Sequence, residues 1–420
     1  MGSGGGRDCE FYANKTILAP MVKAGRTPLR VLALDYGADL VYTEEIVDQK
    51  LLSSKRIIND DLGTIDYVIE DNVVLRIAKA REAGKCVLQV VLMFLFKSCG
   101  NDVAAIDVNM GCPKPFSIAG GMGAALLTKP EEILSSLVEV SSLPVSCKIR
   151  VLDKREDTLE FVRMIERCGV SAIGVHGRRK DERPANKNRL DEIHEIARLL
   201  NIPVITNGSS SEILTYEDIE KIRAISGSSS IMIARKALAY PSIFSSIGLA
   251  TKDEEIKNFL KLACEFDENF TATKYVIQRI LGSEQEFDPR GRATLAAGDV
   301  REICRAWSLE HEFYKIRGRY IYKDDLETGI THINATFPLK RLKNGSGKLT
   351  PKCVLNAWCD EFRIKRPIYD CLRSKDKRFQ AIIEVNGRKF LSNIGQPNKK
   401  MAEQVKILYA EFLCKKKNNI

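Results

Sequence analysis

Eight short aliphatic runs, separated by amphipathic stretches, set the narrowest limit on what this chain can fold into. They are Ile17–Met21, Leu40–Glu44, Cys86–Leu92, Ala104–Asn109, Val145–Arg150, Ala172–His176, Val204–Asn207 and Ser230–Ala234. They show no polar alternation, as expected of strands buried on both faces. Asp157–Arg167 and Leu190–Leu200 have helical periodicity, and Pro144 and Pro203 stand just before strands, where a helix has stopped. Eight strand–helix units in about 250 residues is the size of a TIM (β/α)8 barrel. A doubly wound open sheet is the competing architecture. It usually announces a nucleotide site by G-x-G-x-x-G after its first strand, and here that strand is followed by Ala19-Pro20-Met21.

Beyond the barrel, residues 251–317 read as helices only, for example Glu254–Glu268 and Tyr275–Leu281, and are expected to form a small helical domain. Residues 318–349 are mixed and are expected to be a linker, with Lys343–Lys348 (KNGSGK) of linker composition. From 350 to 417 the pattern changes. A helix over Pro351–Phe362 precedes strands at Ile368–Arg373, Phe379–Val385 and Arg388–Gly395, and a second helix spans Asn398–Cys414. Asn386-Gly387 is a strong two-residue hairpin signal. This α-β-β-β-α order is the layout of a double-stranded-RNA-binding domain.

Charge supports that division. Pro338–Ile420 carries 20 Lys/Arg against 7 Asp/Glu, a balance of +13, within a whole-chain balance of +10. A compact basic segment on a near-neutral body fits a polyanion reader attached to another domain. The twelve cysteines include no C-x-x-C pair or Cys/His spacing that suits zinc, and no secretory signal precedes them. A reducing compartment is expected: the cytoplasm, with the nucleus also open. Gly6 stands where a myristoylation signal needs Ser or Thr. The apolar run Val87–Phe96 is too short to span a bilayer.

Polar residues gather at the strand C-termini, where barrel active sites form. The clearest group is the run Asp107–Leu127, DVNMGCPKPFSIAGGMGAALL. This run resembles the signature of tRNA-dihydrouridine synthases. Four further pieces agree in order: ILAPM at Ile17–Met21, CKIR at Cys147–Arg150, VHGR at Val175–Arg178, and Asn207-Gly208 followed by IARKAL at Ile233–Leu238. With its trailing RNA-binding domain, the chain resembles the eukaryotic type-2 branch, which modifies uridine 20 of the tRNA D-loop.

The resemblance implies an FMN enzyme that acts on tRNA and is reloaded by NADPH, with the helical domain also on tRNA; a monomer is expected. Pro20, Met21 and the backbone of Val22 and Lys23 would lie against the isoalloxazine, with Gln89 and Asn109 at its edge. Lys148 would sit by the pyrimidine side of the flavin, where a fixed cation stabilises the anionic reduced form. His176 would lie near flavin and substrate. Asn207, Gly208, Ala234 and Arg235 would hold the phosphate, beside Ser209, where a second glycine is common. Reduced FMN would give hydride from N5 to C6 of uracil, and Cys112 would protonate C5. A thiol with an ordinary pKa is mostly protonated at neutral pH and can act as that acid.

Other charged residues divide between RNA and bland roles. Glu44 and Glu45 end the second strand and are open to a substrate role or none. Arg178 and Arg179 read as RNA-facing charge. Lys399 and Lys400 open the last helix, where cations oppose the macrodipole, so they are expected to meet phosphates. Lys352, Arg363, Lys365 and Arg366 are further candidates, each equally readable as solvated charge.

One segment departs from the resemblance. After Gln89 the family has a glycine-containing turn and an amphipathic helix. Here Val90–Phe96 is wholly apolar and Lys97–Asn101 follows at once. A barrel unit without its helix leaves wall exposed, at about 25 cal/mol per Å² of wet apolar area, unless something else covers it. This keeps open a non-catalytic RNA-binding protein on an altered barrel. A different FMN barrel oxidoreductase is the other alternative, and the basic C-terminal domain argues against it.

Overall fold

A computed structural model describes residues 9–70, 72–90, 102–111, 130–325, 330–333, 351–373, 379–392, 396 and 399–405. The first strands, β1 (Thr16–Leu18) and β2 (Leu40–Tyr42), are followed by three that stand apart, β3 (Lys55–Asn59), β4 (Thr64–Ile69) and β5 (Asn72–Ala78). Then come β6 (Cys86–Val90), β7 (Ala105–Asn109), β8 (Val145–Arg150), β9 (Ala172–His176), β10 (Val204–Asn207) and β11 (Ser230–Ile233). Strands β1, β2 and β6–β11 close into one barrel, with every neighbouring pair parallel. Each of the eight aliphatic runs supplies one barrel strand.

The double burial of these strands has two sources. Inside the barrel, Tyr12, Ile17, Tyr42, Val87, Ile205 and Met232 pack together. Outside, Cys147, Ile149, Ile173 and Val175 pack with residues of the helices Pro130–Val140, Arg155–Arg167 and Leu190–Leu199, among them Leu134, Val162, Ile165 and Ile193. Each such aliphatic side chain contributes about 1.5–3 kcal/mol on burial.

The antiparallel sheet β3-β4-β5 was not expected from the sequence. Its residues Ile65, Tyr67, Leu75 and Ile77 form one cluster with Leu88 and Val90 of β6 and Ile106 of β7. It therefore covers the barrel wall at these positions. The atypical stretch 91–101 and residues 112–129 lie outside the described residues.

Helices Lys252–Glu265, Phe270–Leu281, Pro289–Ala296 and Val300–Ala306 occupy the expected helical range. Side chains cap their N-termini: Thr251 in a reciprocal box with Glu254, then Asn269, Asp288 and Asp299. They are not set apart from the barrel, because one compact unit runs from Met1 to His311. Among the described residues no helix is long and apolar enough to cross a membrane.

The second unit, Glu312–Ile420, has a five-stranded sheet. Its strands are β12 (Tyr322–Asp325), β13 (Ile330–Ile333), β14 (Ile368–Arg373), β15 (Phe379–Val385) and β16 (Arg388–Ser392), in the order β12-β13-β16-β15-β14. Helix Pro351–Glu361 packs Leu355 and Cys359 on Ile383 of β15. Helix Lys399–Val405 also lies on this strand. The expected α-β-β-β-α layout is present. The linker expected over 318–349 is corrected, since it holds β12 and β13, with β13 hydrogen-bonded in parallel to β16. Residues 334–350 lie outside the described residues.

Candidate active site

The register of a parallel barrel decides which side chains meet at its rim. Asn109 of β7 lies beside Lys148 of β8, Arg150 beside His176 of β9, and His176 beside Asn207 of β10. A cavity of about 210 Å³ opens at these strand ends. Of the residues expected to hold FMN, Lys148, His176, Asn207, Gly208, Ala234 and Arg235 all line it. Arg150, Arg178 and Arg183 add three cations, and Glu182 a carboxylate. That carboxylate is engaged elsewhere, by both terminal nitrogens of Arg189 at 2.6 Å and by the Arg179 amide at 2.7 Å. The surplus of positive charge suits a phosphate anion.

Gly208 makes the close approach possible. Its φ is +111°, and a Cβ there would stand 2.5 Å from both Asn188 Oδ1 and His176 Cδ2. The Asn207 side chain donates to the Met232 carbonyl at 2.9 Å, which ties β10 to β11. Arg235 is exposed at the cavity and has no hydrogen-bond or ion-pair partner among the described residues. Ser209 differs from expectation. Its side chain is buried and accepts from Asn188 Nδ2 at 2.9 Å, and Ser210 lines the cavity instead.

The other expected flavin residues sit at neighbouring strand ends without lining this cavity. Pro20 and Met21 are half-buried after β1, while Val22 and Lys23 are exposed. The Lys23 amide donates to Glu44 Oε2 at 2.9 Å, and Arg26 pairs with Glu44 at 3.0 Å and Glu268 at 2.8 Å. Glu44 is thus tied, through Arg26, to the connection between helices Lys252–Glu265 and Phe270–Leu281. Gln89 and Asn109 are joined to each other, Asn109 Nδ2 lying 3.4 Å from Gln89 Oε1. Cys112 lies outside the described residues. The turn leading to it is pinned at Gly111, whose amide donates to Asn109 Oδ1 and whose carbonyl accepts from Arg150 Nε, both at 3.0 Å.

Beneath the rim lies a buried polar network that sequence reasoning did not assign. Asp107, 1% exposed, accepts from Gln89 Nε2 at 2.8 Å and from Ser146 Oγ at 2.7 Å. Tyr12 Oη stands 3.0 Å from the same serine oxygen. Burial pushes the Asp107 carboxyl up to about 6, against the two hydrogen bonds and the charge of Lys148. His176 is driven the other way, down to about 2, by burial and by Lys148, Arg150, Arg178 and Arg235. An Asp in the aliphatic run AIDVN was the available signal for the network, since a carboxylate is rarely buried without partners.

Arg178 is the clear correction. It was read as RNA-facing, but it is 2% exposed. Its position in the run Arg178-Arg179-Lys180 hides a loop, residues 183–188, whose carbonyls its guanidinium holds. In the second unit, Lys399 and Lys400 are exposed at the start of their helix, and Arg363 and Lys365 are exposed beyond the first helix. Arg366 is exposed but forms a two-pronged pair with Asp360 at 2.9 and 2.7 Å. Lys352 falls within helix Pro351–Glu361.

Comparison with known proteins agrees with this arrangement. Residues 17–301 match the family Dihydrouridine synthase (Dus), and residues 351–405 match Double-stranded RNA binding motif. A Schizosaccharomyces pombe protein named tRNA-dihydrouridine(20) synthase [NAD(P)+] is 37% identical over 321 residues, covering 72% of this chain and 66% of that protein. The Saccharomyces cerevisiae protein of the same name is 34% identical over 304 residues, covering 66% of this chain and 79% of that protein. A human tRNA-dihydrouridine(20a/20b) synthase [NAD(P)+]-like protein is 31% identical over 243 residues, 54% of this chain and 70% of that one. With the matched family reaching from the first barrel strand through the capped helices, and an RNA-binding motif behind it, this chain belongs to the dihydrouridine synthase family.

Proposed function

We propose that this chain reduces a uridine of tRNA, the D-loop uridine 20, to dihydrouridine, with FMN as its cofactor and NADPH as reductant. The cationic strand-end cavity carries the proposal, because barrel register assembles six of the expected cofactor residues there. The donor set and the space kept open at Gly208 fit a phosphate and the chain attached to it. When bound, FMN supplies the hydride that adds to C6 of uracil.

The chain's own residues do the rest. Arg235 and the backbone at Asn207 and Gly208 hold the phosphate, as late-strand sites in such barrels do. Lys148, which lines the cavity, would hold a fixed positive charge toward the pyrimidine side of a bound flavin. Asn109 would meet the flavin edge, held by Gln89, whose oxygen accepts from Asn109 and whose amide nitrogen is turned to Asp107. Pro20, Met21 and the backbone at Val22 and Lys23 would support the ring. Cys112 would give the proton to C5, so that hydride and proton together saturate the bond. Lys399 and Lys400 meet RNA phosphates, with Lys352, Arg363 and Lys365 contributing. The target base must leave its stack to reach the site, which is least costly in a loop.

The test is mass spectrometry of unmodified tRNA after incubation with the full chain, FMN and NADPH. The expected result is a gain of two hydrogens on one D-loop uridine, absent with Cys112→Ala. No gain with a flavin-loaded chain would defeat the proposal.

A further inference from the structure

The proposed mechanism leaves Arg178 without a task, although it is buried and lines the cavity. Its Nε donates to the Asn186 carbonyl at 2.6 Å and its Nη1 to the Gly208 carbonyl at 2.6 Å, while Nη2 reaches the Pro184 carbonyl at 3.3 Å. The same Nη1 stands 3.4 Å from Nε2 of His176. A guanidinium offers donors only and keeps its proton at any physiological pH. Nε2 of His176 must therefore turn its lone pair to Arg178. A neutral imidazole carries one N–H, so that hydrogen is on Nδ1.

A second observation fixes the ring's direction. The edge of His176 that bears Cδ2 and Nε2 faces Gly208, where a Cβ would lie 2.5 and 2.8 Å from those atoms. The edge bearing Nδ1 is turned away from Gly208. The charges around the ring all oppose a second proton: Lys148 and Arg150 on β8, Arg178 after β9, and Arg235 after β11. Glu182, the carboxylate that lines the cavity, is held by both terminal nitrogens of Arg189.

We infer that Arg178 is a positioning residue that holds His176 as the neutral, Nδ1-protonated tautomer, so that His176 serves the site as a hydrogen-bond donor to a carbonyl oxygen and not as a proton carrier. Its meaning for uracil reduction rests on the proposed function; the tautomer itself is a property of the chain without cofactor. A neutral donor orients a flavin or uracil carbonyl without competing for the proton delivered to C5.

The experiment is long-range proton–nitrogen correlation NMR on the full chain labelled at histidine and free of flavin. The chain has only four histidines, and His176→Asn identifies the relevant signal. The expected pattern is a protonated Nδ1 and an unprotonated Nε2, unchanged between about pH 5 and pH 8. A protonated Nε2, or a titration within that range, would overturn the inference. Arg178→Lys removes the fork and should convert the signal to a tautomer mixture or bring its titration into range. An unchanged signal in a folded Arg178→Lys chain would refute the role of Arg178. Should that variant not fold, the wild-type spectrum alone decides. Flavin binding, followed by fluorescence in the same samples, separates the two ideas. A chain with the expected tautomer and no flavin affinity would sink the proposed function and leave this inference standing.

Discussion

Gly208→Ala should cost flavin affinity far more than it costs the fold. Two penalties combine at this position. An L-residue at positive φ is disfavoured by about 1–2 kcal/mol. The added Cβ also falls 2.5 Å from Asn188 Oδ1 and His176 Cδ2, and overpacking of this kind costs about 1–3 kcal/mol. Neither neighbour is a loose surface chain. Asn188 is buried and bonded to Ser209, and His176 is held by Arg178. The β10 loop must therefore move, and it is the loop assigned to the cofactor phosphate. Between about 2 and 5 kcal/mol in total, expressed largely in binding, corresponds to a loss of roughly 30-fold or more in affinity. Gly248→Ala is the matched control, since Gly248 has φ +118° and nothing within 4 Å of its Cβ position. It carries the backbone penalty alone. Fluorescence titration with FMN gives the affinities, and circular dichroism gives the melting temperatures. A Gly208→Ala chain that binds flavin as tightly as Gly248→Ala would refute the reasoning.

Three other expectations follow from the same geometry. Asp107→Asn should change stability in a pH-dependent way. The carboxyl is raised from 3.8 to about 6, so between those values the folded chain holds a proton that the unfolded chain has released. Wild-type stability therefore falls as pH rises through this window, by at most about 3 kcal/mol. The variant's relative stability, from urea unfolding, should grow from pH 4 to pH 7, and a gap independent of pH would contradict it. Arg30→Met strands the buried Glu82, which Arg30 now holds at 2.6 and 3.1 Å. It should cost about 3–5 kcal/mol and roughly 5–10 °C in melting temperature, with the Arg30→Met/Glu82→Gln double variant recovering part of it. Replacing Lys399 and Lys400 by Ala should weaken tRNA binding and flatten its salt dependence by roughly one unit of log–log slope per lysine, leaving flavin affinity unchanged.

Most of the barrel could be read from the sequence because strands buried on both faces write continuous aliphatic runs, as in Val145–Arg150 and Ala172–His176. Their C-terminal polar residues fall at one rim by register, whereas the grouping of Lys148, His176 and Asn207 in one cofactor site came from the resemblance. The features that escaped depend on contacts that periodicity does not carry. The sheet β3-β4-β5 lies within one strand-to-strand connection, where an α/β pattern leads one to expect a helix. Its alternation, Ile65-Asp66-Tyr67, was the local signal. Strand β12 is the polar tetrapeptide Tyr322–Asp325, and only its partner β13 reveals it. Arg178 lies in a charged triplet that reads as solvent-facing until the loop of residues 183–188 closes on it. Asp107 sits in the recognised signature, yet its bond to Gln89 joins two strands separated by 18 positions in sequence.

The absorbance spectrum of the purified full chain, taken beside that of an Arg235→Met/Lys148→Met double variant, bears most directly on whether the strand-end cavity is a flavin site. The account predicts a yellow wild-type protein with stoichiometric flavin and a double variant that is folded and colourless, both still binding duplex RNA. A colourless wild-type chain that gains no colour from added FMN, yet binds RNA, would contradict it and leave an RNA-binding protein on a barrel that no longer carries out the reaction.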